Sequence, residues 1–578
     1  MWKLARYLKH FKKEVILGPF FKLLEAIFEL IVPLVMAKII DVGVKNGDTR
    51  YVLTMGGVMV LLGVAGLGFA LTCQYFAAKA SQGFGTMVRN DLFAHISSLS
   101  HGEVDRIGTP SLITRITGDV NQLQVAVAML IRLVVRAPFL VIGAAVMAMM
   151  LDLRLSLVFL AAAPLVGLAL YFVMSRSVPF YRVIQKKLDR ISLITRENLE
   201  GARVIRAFSK QDTERARFHA ASEDAMVSSI RVGKIAALLN PLTFAIMNLA
   251  IVAIVWFGGF RVDTGALSQG QIIAFVNYMT QILLALVVVA NLVIIFTKSS
   301  ASAARVNEVF ATQPSITDPE KALSTKDAAA PKIQFRDVSF SYPGSGEVSL
   351  SHISVDIQKG QTVGIIGGTG SGKSTLVNLI PRFYDATEGS ILVDGVDVRS
   401  YPLEKLRGQI GIVPQQAVLF SGTLEENLRW GKEGATKEQM DKALRVAQAK
   451  EFVDRLPDGW DTQIAQGGKN LSGGQRQRLT IARALTREPD ILILDDSMSA
   501  LDFATDAALR RALREETEDM TVLMVTQRAH TIRSADLIIV LDDGEVAGIG
   551  THEALFAQCG VYREICLSQQ KEKEAAGQ

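Results

Sequence analysis

The stretch TVGIIGGTGSGKSTLVNLI (362–380) decides the fold of the C-terminal half of this chain. It begins as an apolar run typical of a buried strand, continues as a loop that fits G-x-x-x-x-G-K-[ST], and ends as a run typical of a helix. In this context the glycines let backbone N–H groups close around phosphates at the N-terminus of the helix. The stretch therefore predicts a nucleotide site in an α/β domain.

The residues of this loop are the first predicted ligands of the nucleotide. Lys373 is expected to reach the outer phosphates, and the hydroxyl of Ser374 is expected to bind Mg²⁺. Further along the chain, the apolar run ILIL (491–494) ends at Asp495, a carboxylate placed to hold Mg²⁺ through water. The other predicted phosphate contacts in the loop are Gly367, Gly368, Thr369, Gly370, Ser371, Gly372 and Thr375.

Two further motifs give the phosphate loop a family context. LSGGQRQR (471–478) lies upstream of ILILDD, and IVPQQAVLF (412–420) lies between it and the loop. Together these motifs resemble those of the ATP-binding cassette (ABC) transporter family. In that family the serine and glycine N–H groups of LSGGQ bind the γ-phosphate of an ATP that the other subunit holds. The resemblance implies that a functional unit has two such domains. This chain has one, so it is expected to be half of a dimer.

The resemblance also assigns roles outside the phosphate loop. Gln415 matches the family's Q-loop, a second contact on the magnesium side and a joint to the membrane domain. Tyr342 in FSYP (340–343) matches the aromatic residue that stacks on adenine, although a lone tyrosine after a strand more often packs in a core or on a surface. The residues expected to meet the partner subunit and its ATP are Ser472, Gly473, Gly474, Gln475 and Asp502.

Two residues depart from the family's pattern at the hydrolytic centre. Asp496 stands where the family usually has glutamate, and Gln527 stands where it usually has histidine. Aspartate is one methylene shorter than glutamate, which withdraws the carboxylate by about 1 Å, and misplacement on that scale can cost about a hundredfold in rate. Gln527 can hydrogen-bond a γ-phosphate, but it cannot carry charge or exchange protons as histidine can. Gln466 also replaces a glutamate that usually contacts the coupling helices.

Two interpretations of these departures stay open. In the first, the substitutions are tolerated in an active homodimer. In the second, the chain binds ATP and hydrolyses it slowly at its own site. Its intact LSGGQ then completes a competent site on a different subunit that has the usual glutamate. The second interpretation resembles the degenerate-site subunit of bacterial heterodimeric multidrug ABC exporters.

The N-terminal half has the composition of a membrane protein. Of the 578 residues 49% are hydrophobic, the mean hydropathy is +0.28, and the long apolar windows lie within residues 1–300. A net charge of +5 argues against a nucleic-acid partner, and a basic cytoplasmic face beside anionic lipid explains it. A bilayer crossing takes about 20 residues. Six windows reach that length, near 15–41, 52–78, 133–151, 155–175, 235–259 and 271–296.

The order of segments predicts two domains of different fold class. Residues 1–311 are expected to form an α-helical membrane domain with six transmembrane helices, long cytoplasmic extensions and an N-terminal interfacial helix. The polar, alanine-rich segment 312–331 is expected to be a surface linker. Residues 332–578 alternate strand-like and helical runs, which predicts an α/β P-loop ATP-binding cassette domain.

The distribution of basic residues predicts the orientation in the membrane. The long connections near 79–132 and 176–234 carry many lysines and arginines, whereas the short connections carry few, which places the long connections, the N-terminus and the C-terminal half in the cytoplasm. Both connections show helical spacing, so they are expected to continue the membrane helices. GTPSLITRITGDV (108–120) resembles the first coupling helix of the family, and ENLEGARVIRAF (197–208) lies near the end of the second extension.

Polar residues within the predicted spans have two interpretations each. Lys22, Glu25 and Glu29 share one face of the first span, where they form an ion pair or offer a carboxylate to a cationic substrate. Asn277, Gln281 and Asn291 form a stripe on the sixth span. This stripe lines a translocation path or joins helices by hydrogen bonds.

The order of membrane domain and cassette on one chain resembles the exporter type of the family. The resemblance implies a multi-pass half-transporter of a bacterial inner or plasma membrane, with its ATP-binding domain in the cytoplasm. It would use ATP and Mg²⁺ to export an amphipathic drug-like or lipid-like small molecule, surrounded by membrane lipids and paired with a second half-transporter. The alternatives are a homodimeric lipid flippase and an ATP-binding regulatory or channel subunit that does not pump. The six apolar windows exclude a soluble ABC ATPase.

Overall fold

The computed structural model describes residues 3–319, 327, 329–344, 346–517 and 519–575. The chain divides into two compact units, Met1–Ile96 with Pro110–Ala311 and Ser97–Thr109 with Thr312–Gln578. The predicted linker, 312–331, falls partly outside the described residues, and Ile316 in its described part is buried.

The N-terminal half is built from helices, as its apolar windows predict. A 3₁₀ helix, Leu4–Phe11, comes first. Three π-helical segments, Ile39–Val44, Arg115–Asp119 and Leu130–Val134, directly follow α-helices. The α-helices are α1 (Lys12–Lys38), α2 (Thr49–Ser98), α3 (His101–Ile107), α4 (Thr109–Thr114), α5 (Val120–Met129), α6 (Arg136–Leu151), α7 (Leu153–Glu200), α8 (Ala202–Ala207), α9 (Gln211–Ala237), α10 (Leu239–Asp263) and α11 (Gln269–Ala311).

The long helical segments correspond to the six predicted spans. Five segments of the described chain are long and apolar enough to cross a membrane, namely Thr49–Ser98, Thr109–Leu151, Leu153–Glu200, Gln211–Asp263 and Gln269–Ala311. They contain the second to sixth windows. The first window forms most of α1, whose apolar sequence is interrupted by Lys22, Glu25 and Glu29. These charges leave α1 outside the five, although it is as continuous a helix as the others.

Some charged residues within the helical unit form ion pairs, which lowers the cost of burying them. Lys22 Nζ lies 2.6 Å from Glu25 Oε2 on α1, which confirms the ion-pair interpretation of these two residues. Glu29 binds Arg136 at the start of α6, with 2.6 Å between Oε2 and Nη2. Glu29 therefore joins two helices, a contact between distant parts of the chain that helical spacing could not predict.

The polar stripe on the sixth span divides into residues with different roles. Gln281 Nε2 donates to the backbone oxygen of Glu29 at 3.2 Å, which joins α11 to α1. Asn277 Nδ2 donates to Ile273 O of its own helix at 2.9 Å. Asn291 is exposed. The helix-joining interpretation therefore holds for Gln281 alone among the three.

The second unit is an α/β domain with strands in three sheets. The strands are β1 (Ile333–Phe340), β2 (Leu350–Ile357), β3 (Thr362–Gly367), β4 (Glu388–Val393), β5 (Val396–Asp397), β6 (Ile410–Val413), β7 (Gly422–Thr423), β8 (Gln463–Ile464), β9 (Ile491–Asp495), β10 (Thr521–Val525), β11 (Leu537–Asp542) and β12 (Glu545–Gly550). The helices are α12 (Lys373–Leu379), α13 (Leu403–Gly408), α14 (Leu424–Arg429), α15 (Lys437–Val446), α16 (Lys450–Val453), α17 (Gly473–Thr486), α18 (Phe503–Glu516), α19 (Ala529–Ile532), α20 (His552–Gln558) and α21 (Gly560–Ala575).

The main sheet brings distant sequence segments to one edge. Its order is β12-β11-β3-β10-β9-β6, with neighbours parallel from β11 to β6. Every residue of β9 and β10 is buried, which explains their continuous apolar runs. Parallel strands end at the same edge, so Gly367, Val525 and Asp495 end neighbouring strands there. Ligands of open α/β sheets bind at this edge.

A short helix of the N-terminal half belongs to the second unit. The segment Ser97–Thr109, which contains α3, clusters with the C-terminal half. The stretch resembling the first coupling helix, 108–120, begins where α3 ends at Gly108, which has a left-handed φ of +82°. The sequence signal for α3 is the capping box formed by Ser100 and Glu103, a serine and a glutamate three positions apart.

Candidate nucleotide site

The phosphate loop joins the end of β3 to the start of α12. Gly370 and Gly372 have φ values of +86° and +89°, in the left-handed region that glycine reaches without steric cost. A Cβ at Gly372 would lie 2.7 Å from the backbone oxygen of Ser349, so both conformation and space require glycine there. The loop therefore has the backbone shape that the motif predicts.

Lys373 lies under this loop. Its Nζ donates to the backbone oxygen of Gly367 at 3.0 Å and to that of Gly368, and it lies 3.3 Å from Ser371 Oγ. The side chain is buried, and burial lowers the pKa of Lys373, while the nearby Asp496 and Asp495 oppose that shift. A buried ammonium with loop oxygens and two carboxylates around it is arranged to meet a strongly anionic group.

Asp495 ends β9 and faces the first turn of α12. Ser374 Oγ donates to Asp495 Oδ1 at 2.8 Å, which brings together the two residues predicted to bind Mg²⁺. Burial raises the pKa of Asp495, and the charge of Asp496 raises it further. The hydrogen bond from Ser374 and the charge of Lys373 act in the opposite direction.

Asp496 has a different environment from its neighbour. Its φ is +43°, a left-handed conformation that is uncommon outside glycine. Gln415 Nε2 lies 3.5 Å from Asp496 Oδ2, at the limit of a hydrogen bond. Burial raises the pKa of Asp496, whereas Lys373, Arg528 and Gln415 lower it. Arg528 in turn donates from Nη2 to the backbone oxygen of Ser499 at 3.2 Å.

Tyr342 lies beside the phosphate loop. Its hydroxyl is 3.1 Å from Thr375 Oγ1 on α12. Its ring meets Phe340 and Tyr384 edge to face, with centroid distances of 4.9 and 5.2 Å. These contacts hold a half-buried aromatic ring at the border of the site.

A cavity of about 380 Å³ connects these residues. The predicted site residues that line it are Tyr342, Thr369, Gly370, Gly372, Lys373, Ser374, Thr375, Gln415, Asp495, Asp496 and Gln527. Gly367, Gly368 and Ser371 belong to the same loop but do not line the cavity. Ser472, Gly473, Gly474, Gln475 and Asp502 lie outside it.

Sequence reasoning missed several lining residues. They are Glu347, Val348, Ser349, Val525, Asp543 and Gly544. Glu347 to Ser349 lead into β2, and Asp543 and Gly544 form the turn between β11 and β12. Only the pairing of the sheet brings these loops to the phosphate loop, so the sequence carries no local signal for them. Val525 could have been found, since it ends a strand beside β3.

LSGGQ (471–475) and the loop 497–502 after Asp496 lie next to each other and form a second polar cluster. Ser472 caps α17, and its capping box with Gln475 places Ser472 N 2.9 Å from Gln475 Oε1. A Cβ on Gly474 would lie 3.5 Å from the backbone oxygen of Ala500, so the start of α17 adjoins the loop that leads to Asp502. Asp502 Oδ1 accepts from Thr505 N at 2.9 Å and caps α18. Backbone and side-chain hydrogen bonds from Thr505 lower the pKa of Asp502.

The donor set of the cavity fits Mg²⁺ bound together with phosphates. Ser374, Asp495 and Gln415 offer a hydroxyl, a carboxylate and an amide oxygen, which are the hard ligands that Mg²⁺ prefers when phosphates complete its shell. Among the described residues, no group of three or more histidine, cysteine or acidic side chains could hold a metal by itself.

The helical unit contains an apolar groove of about 960 Å³. It lies between the segment from Leu130 to Pro138 and the second half of α11. Its lining is Leu130, Val134, Pro138, Val289, Leu292, Val293, Phe296, Thr297, Ser300, Ala301 and Ala304. None of these residues is charged, so the groove suits an apolar or weakly polar surface.

Comparison with known families agrees with both units. The family described as "ABC transporter transmembrane region" matches residues 15–287, and the family described as "ABC transporter" matches residues 350–499.

Full-length relatives are similar over almost the whole chain. An uncharacterized ABC transporter ATP-binding protein of Mycobacterium tuberculosis (strain CDC 1551 / Oshkosh) is 39% identical, over 98% of this chain and 97% of that protein. An ATP-dependent lipid A-core flippase of Chromobacterium violaceum is 32% identical over 99% and 98%. A multidrug efflux ATP-binding/permease protein of Mycobacterium bovis (strain BCG / Pasteur 1173P2) is 32% identical over 98% of this chain but only 47% of its own length.

A solved structure shares the fold of both units. It is described as a bacterial Atm1-family ABC exporter with ATP bound, with a TM-score of 0.77 and 25% identity. The similarity covers 98% of each chain.

Proposed function

Since this chain belongs to the ABC transporter family, with a membrane domain and an ATP-binding domain on one polypeptide, we propose that it is the degenerate-site half of a heterodimeric exporter. It is a multi-pass membrane protein with a cytoplasmic ATP-binding domain, and its fold is that of an ABC exporter. The proposal adds three points. The exporter carries amphipathic small molecules, its partner is a different half-transporter, and this chain hydrolyses ATP slowly.

The side chains available in the cavity to activate water carry the proposal. The acidic residues that line the cavity are Asp495, which bonds to Ser374, Asp496, which is one methylene shorter than the usual glutamate, and Glu347 and Asp543 in the loops beside β2 and β11. A general base must reach its water within hydrogen-bond distance. Gln527 lines the cavity in the place of the usual histidine, and no histidine is among the lining residues that the structure describes. The cavity therefore retains phosphate-binding groups but lacks the usual groups for activating water.

The binding side of the site supports retained affinity for ATP. The loop N–H groups would hold the phosphates, Lys373 would neutralise the outer ones, and Tyr342 would pack against the base. When Mg²⁺ is present, Ser374, Gln415 and Asp495 would hold it, and it supplies charge neutralisation to the phosphates. Asp496 would orient a water, although its shorter side chain holds the carboxylate back.

The position of LSGGQ supports a dimer. Ser472 and the α17 N-terminus lie outside the cavity that contains Lys373, so this chain presents two half-sites. In the family, each half-site is completed by the other subunit. The chain keeps an unaltered LSGGQ to offer its partner, while the site at its own phosphate loop carries the substitutions at Asp496 and Gln527. That asymmetry favours a partner whose own catalytic residues are the usual ones.

A relative of double length also favours two different halves. The Mycobacterium bovis multidrug efflux protein aligns with 98% of this chain, yet the alignment fills 47% of that protein. The remaining length is enough for a second half-transporter of similar size. Two halves on one polypeptide can diverge from each other, as this proposal requires of two separate chains.

The apolar groove supports an amphipathic substrate. Its lining between Leu130 and Ala304 has no charged residue. A hydrophobic body would bury its surface there, and the groove does not offer a fixed charge to select an ionic group. The proposed substrate class is therefore drug-like or lipid-like.

The second candidate is a homodimeric lipid flippase with slow sites. It is favoured by the relative named ATP-dependent lipid A-core flippase, which aligns over 99% of this chain. In a homodimer both sites would contain Asp496 and Gln527. The two candidates therefore differ in whether the isolated chain is an active ATPase.

Purification of the tagged full-length chain from its native membrane tests the choice. We expect a second half-transporter to co-purify, and the chain alone, reconstituted in vesicles with Mg-ATP, to show ATPase about a hundredfold below that of the co-purified complex. Stable ATPase of comparable rate from this chain alone would exclude the heterodimer. Vanadate-sensitive uphill uptake of an amphipathic dye by vesicles of the complex would exclude a regulatory or channel subunit.

A further inference from the structure

A short helix from the N-terminal half packs within the ATP-binding unit. This helix, α3, is capped at Ser100, whose Oγ also accepts a hydrogen bond from Ile316 N at 3.0 Å. The segment that contains α3 clusters with the C-terminal half. It therefore lies where changes in the ATP-binding unit act on it directly.

Two side chains after α12 make the contacts to α3. Tyr384 donates from its hydroxyl to Asp105 Oδ2 at 2.6 Å, and the ring of Phe383 stacks on His101 with centroids 4.5 Å apart. Burial raises the pKa of Tyr384, and the hydrogen bond to Asp105 raises it further, so the hydroxyl stays a donor. Neutral donors bound to a carboxylate make stronger hydrogen bonds than neutral pairs do.

The same tyrosine touches the border of the nucleotide cavity. The rings of Tyr384 and Tyr342 meet edge to face at 5.2 Å and an interplanar angle of 83°. Tyr342 lines the cavity and its hydroxyl contacts Thr375 of α12. Tyr384 is thus in direct contact both with α3 and with Tyr342, the proposed platform on which the base of the nucleotide packs.

Ring packing connects the two tyrosines to each other. Phe340 contacts both tyrosines, at 4.9 Å from Tyr342 and 5.6 Å from Tyr384, so neither ring can turn without displacing a neighbour. A base that packed on Tyr342 would restrict the remaining motion of its ring, and the edge contact would pass that restriction to Tyr384. A fixed Tyr384 hydroxyl holds Asp105 more firmly than a mobile one.

We propose that Tyr384 is a positioning residue that couples occupancy of the base platform at Tyr342 to the docking of α3 through Asp105. The inference rests on the proposed nucleotide site, and it makes the base of the nucleotide, and not its phosphates, the signal to the helix. By linkage, a docked α3 strengthens nucleotide binding by the same factor by which the nucleotide stabilises docking.

Hydrogen exchange of the backbone amides of 101–107 tests the coupling in the full-length chain in detergent or lipid nanodiscs. We expect saturating Mg-ATP to slow their exchange about fivefold or more, the lower end of usual coupling factors. Mg-tripolyphosphate, which fills a phosphate site without a base, should leave them unchanged. In Tyr384→Phe the effect of ATP should vanish and the affinity for ATP should fall by the same factor.

Two further variants keep the test decisive. Asp105→Ala removes the acceptor from the side of α3 and should abolish the effect of ATP as Tyr384→Phe does. Tyr401→Phe, which removes a buried hydroxyl bonded to Val393 O at 3.0 Å in the same unit, should leave it intact. The proposal is overturned if ATP still protects the amides of 101–107 in Tyr384→Phe, or if tripolyphosphate protects them as well as ATP does. It is also overturned if ATP protects them neither in the unchanged chain nor in Tyr384→Phe. These readouts need no transport and no partner, so a failed pumping assay leaves them interpretable.

Discussion

Asp495 and Asp496 are adjacent in sequence but face different neighbours. The carboxylate of Asp495 accepts from Ser374 at 2.8 Å, whereas that of Asp496 makes a longer contact of 3.5 Å with Gln415. The left-handed φ of Asp496 turns its side chain into the cavity. Its length then decides how far the carboxylate reaches, and in the proposed function the missing methylene slows hydrolysis.

Restoring the usual residues should reveal this difference. We expect Asp496→Glu combined with Gln527→His to raise single-turnover ATP hydrolysis at this chain's own site about tenfold to a hundredfold, because the base regains reach and the histidine regains charge. Radiolabelled ATP cleavage by the purified complex measures it. Asp496→Asn is the control and should lower the residual rate. An unchanged rate in the double variant would mean that neither residue limits turnover.

At the scale of elements, the pKa of His101 on α3 depends on side chains from several neighbouring elements. The ring of His101 packs on Phe383, with Arg407 of α13 nearby and Asp105 on its own helix. Burial lowers the pKa of His101 and the charge of Arg407 lowers it further, while Asp105 acts in the opposite direction. Protonation is therefore less favourable in the docked helix than in the free one.

The sign of the pH dependence follows from that shift. Below the ordinary histidine pKa of about 6.5, an undocked His101 takes up a proton more readily than a docked one, so docking weakens as the pH falls. We expect the amides of 101–107 to lose protection between about pH 7.5 and 5.5, after correction for intrinsic exchange. His101→Phe keeps an aromatic ring on Phe383 and should be insensitive to pH. Equal pH dependence in that variant would contradict the assignment.

At the scale of the whole molecule, the two half-sites of the chain should contribute unequally to the ATPase rate of the assembled complex. In the proposed heterodimer, LSGGQ of this chain completes the fast ATP site of the partner subunit, while the site at this chain's own phosphate loop is slow. In the assembled complex, Ser472→Ala should lower steady-state ATPase about tenfold, the loss of one hydrogen bond to a charged phosphate. Asp495→Asn should change it by less than about twofold, since the slow site contributes little.

A matched control separates this effect from loss of a helix cap. Thr436 and Gln439 cap α15 with a capping box of the same type as that of Ser472 and Gln475 at α17. Thr436→Ala therefore removes a similar cap outside the site and should leave ATPase unchanged. Equal losses for Ser472→Ala and Asp495→Asn would indicate two equivalent sites and support the homodimer.

The sequence by itself determined the two fold classes, the order of the units and most of the phosphate loop. Those features depend on local patterns. Long apolar windows cross a bilayer or fill a core, and a loop that fits G-x-x-x-x-G-K-[ST] between a strand and a helix indicates a phosphate site. The same holds for β9 and β10, whose continuous apolar runs require a sheet covered on both faces.

Only the tertiary structure decided which distant residues meet. It placed Asp543 and Ser349 in the cavity, grouped α3 with the ATP-binding unit, and paired Glu29 with Arg136. It also placed Tyr384 between Tyr342 and Asp105. Such contacts arise from strand order and helix packing, which join residues separated by tens to hundreds of positions. A local pattern cannot encode them, because the same side chains at the same spacing fit many different neighbours.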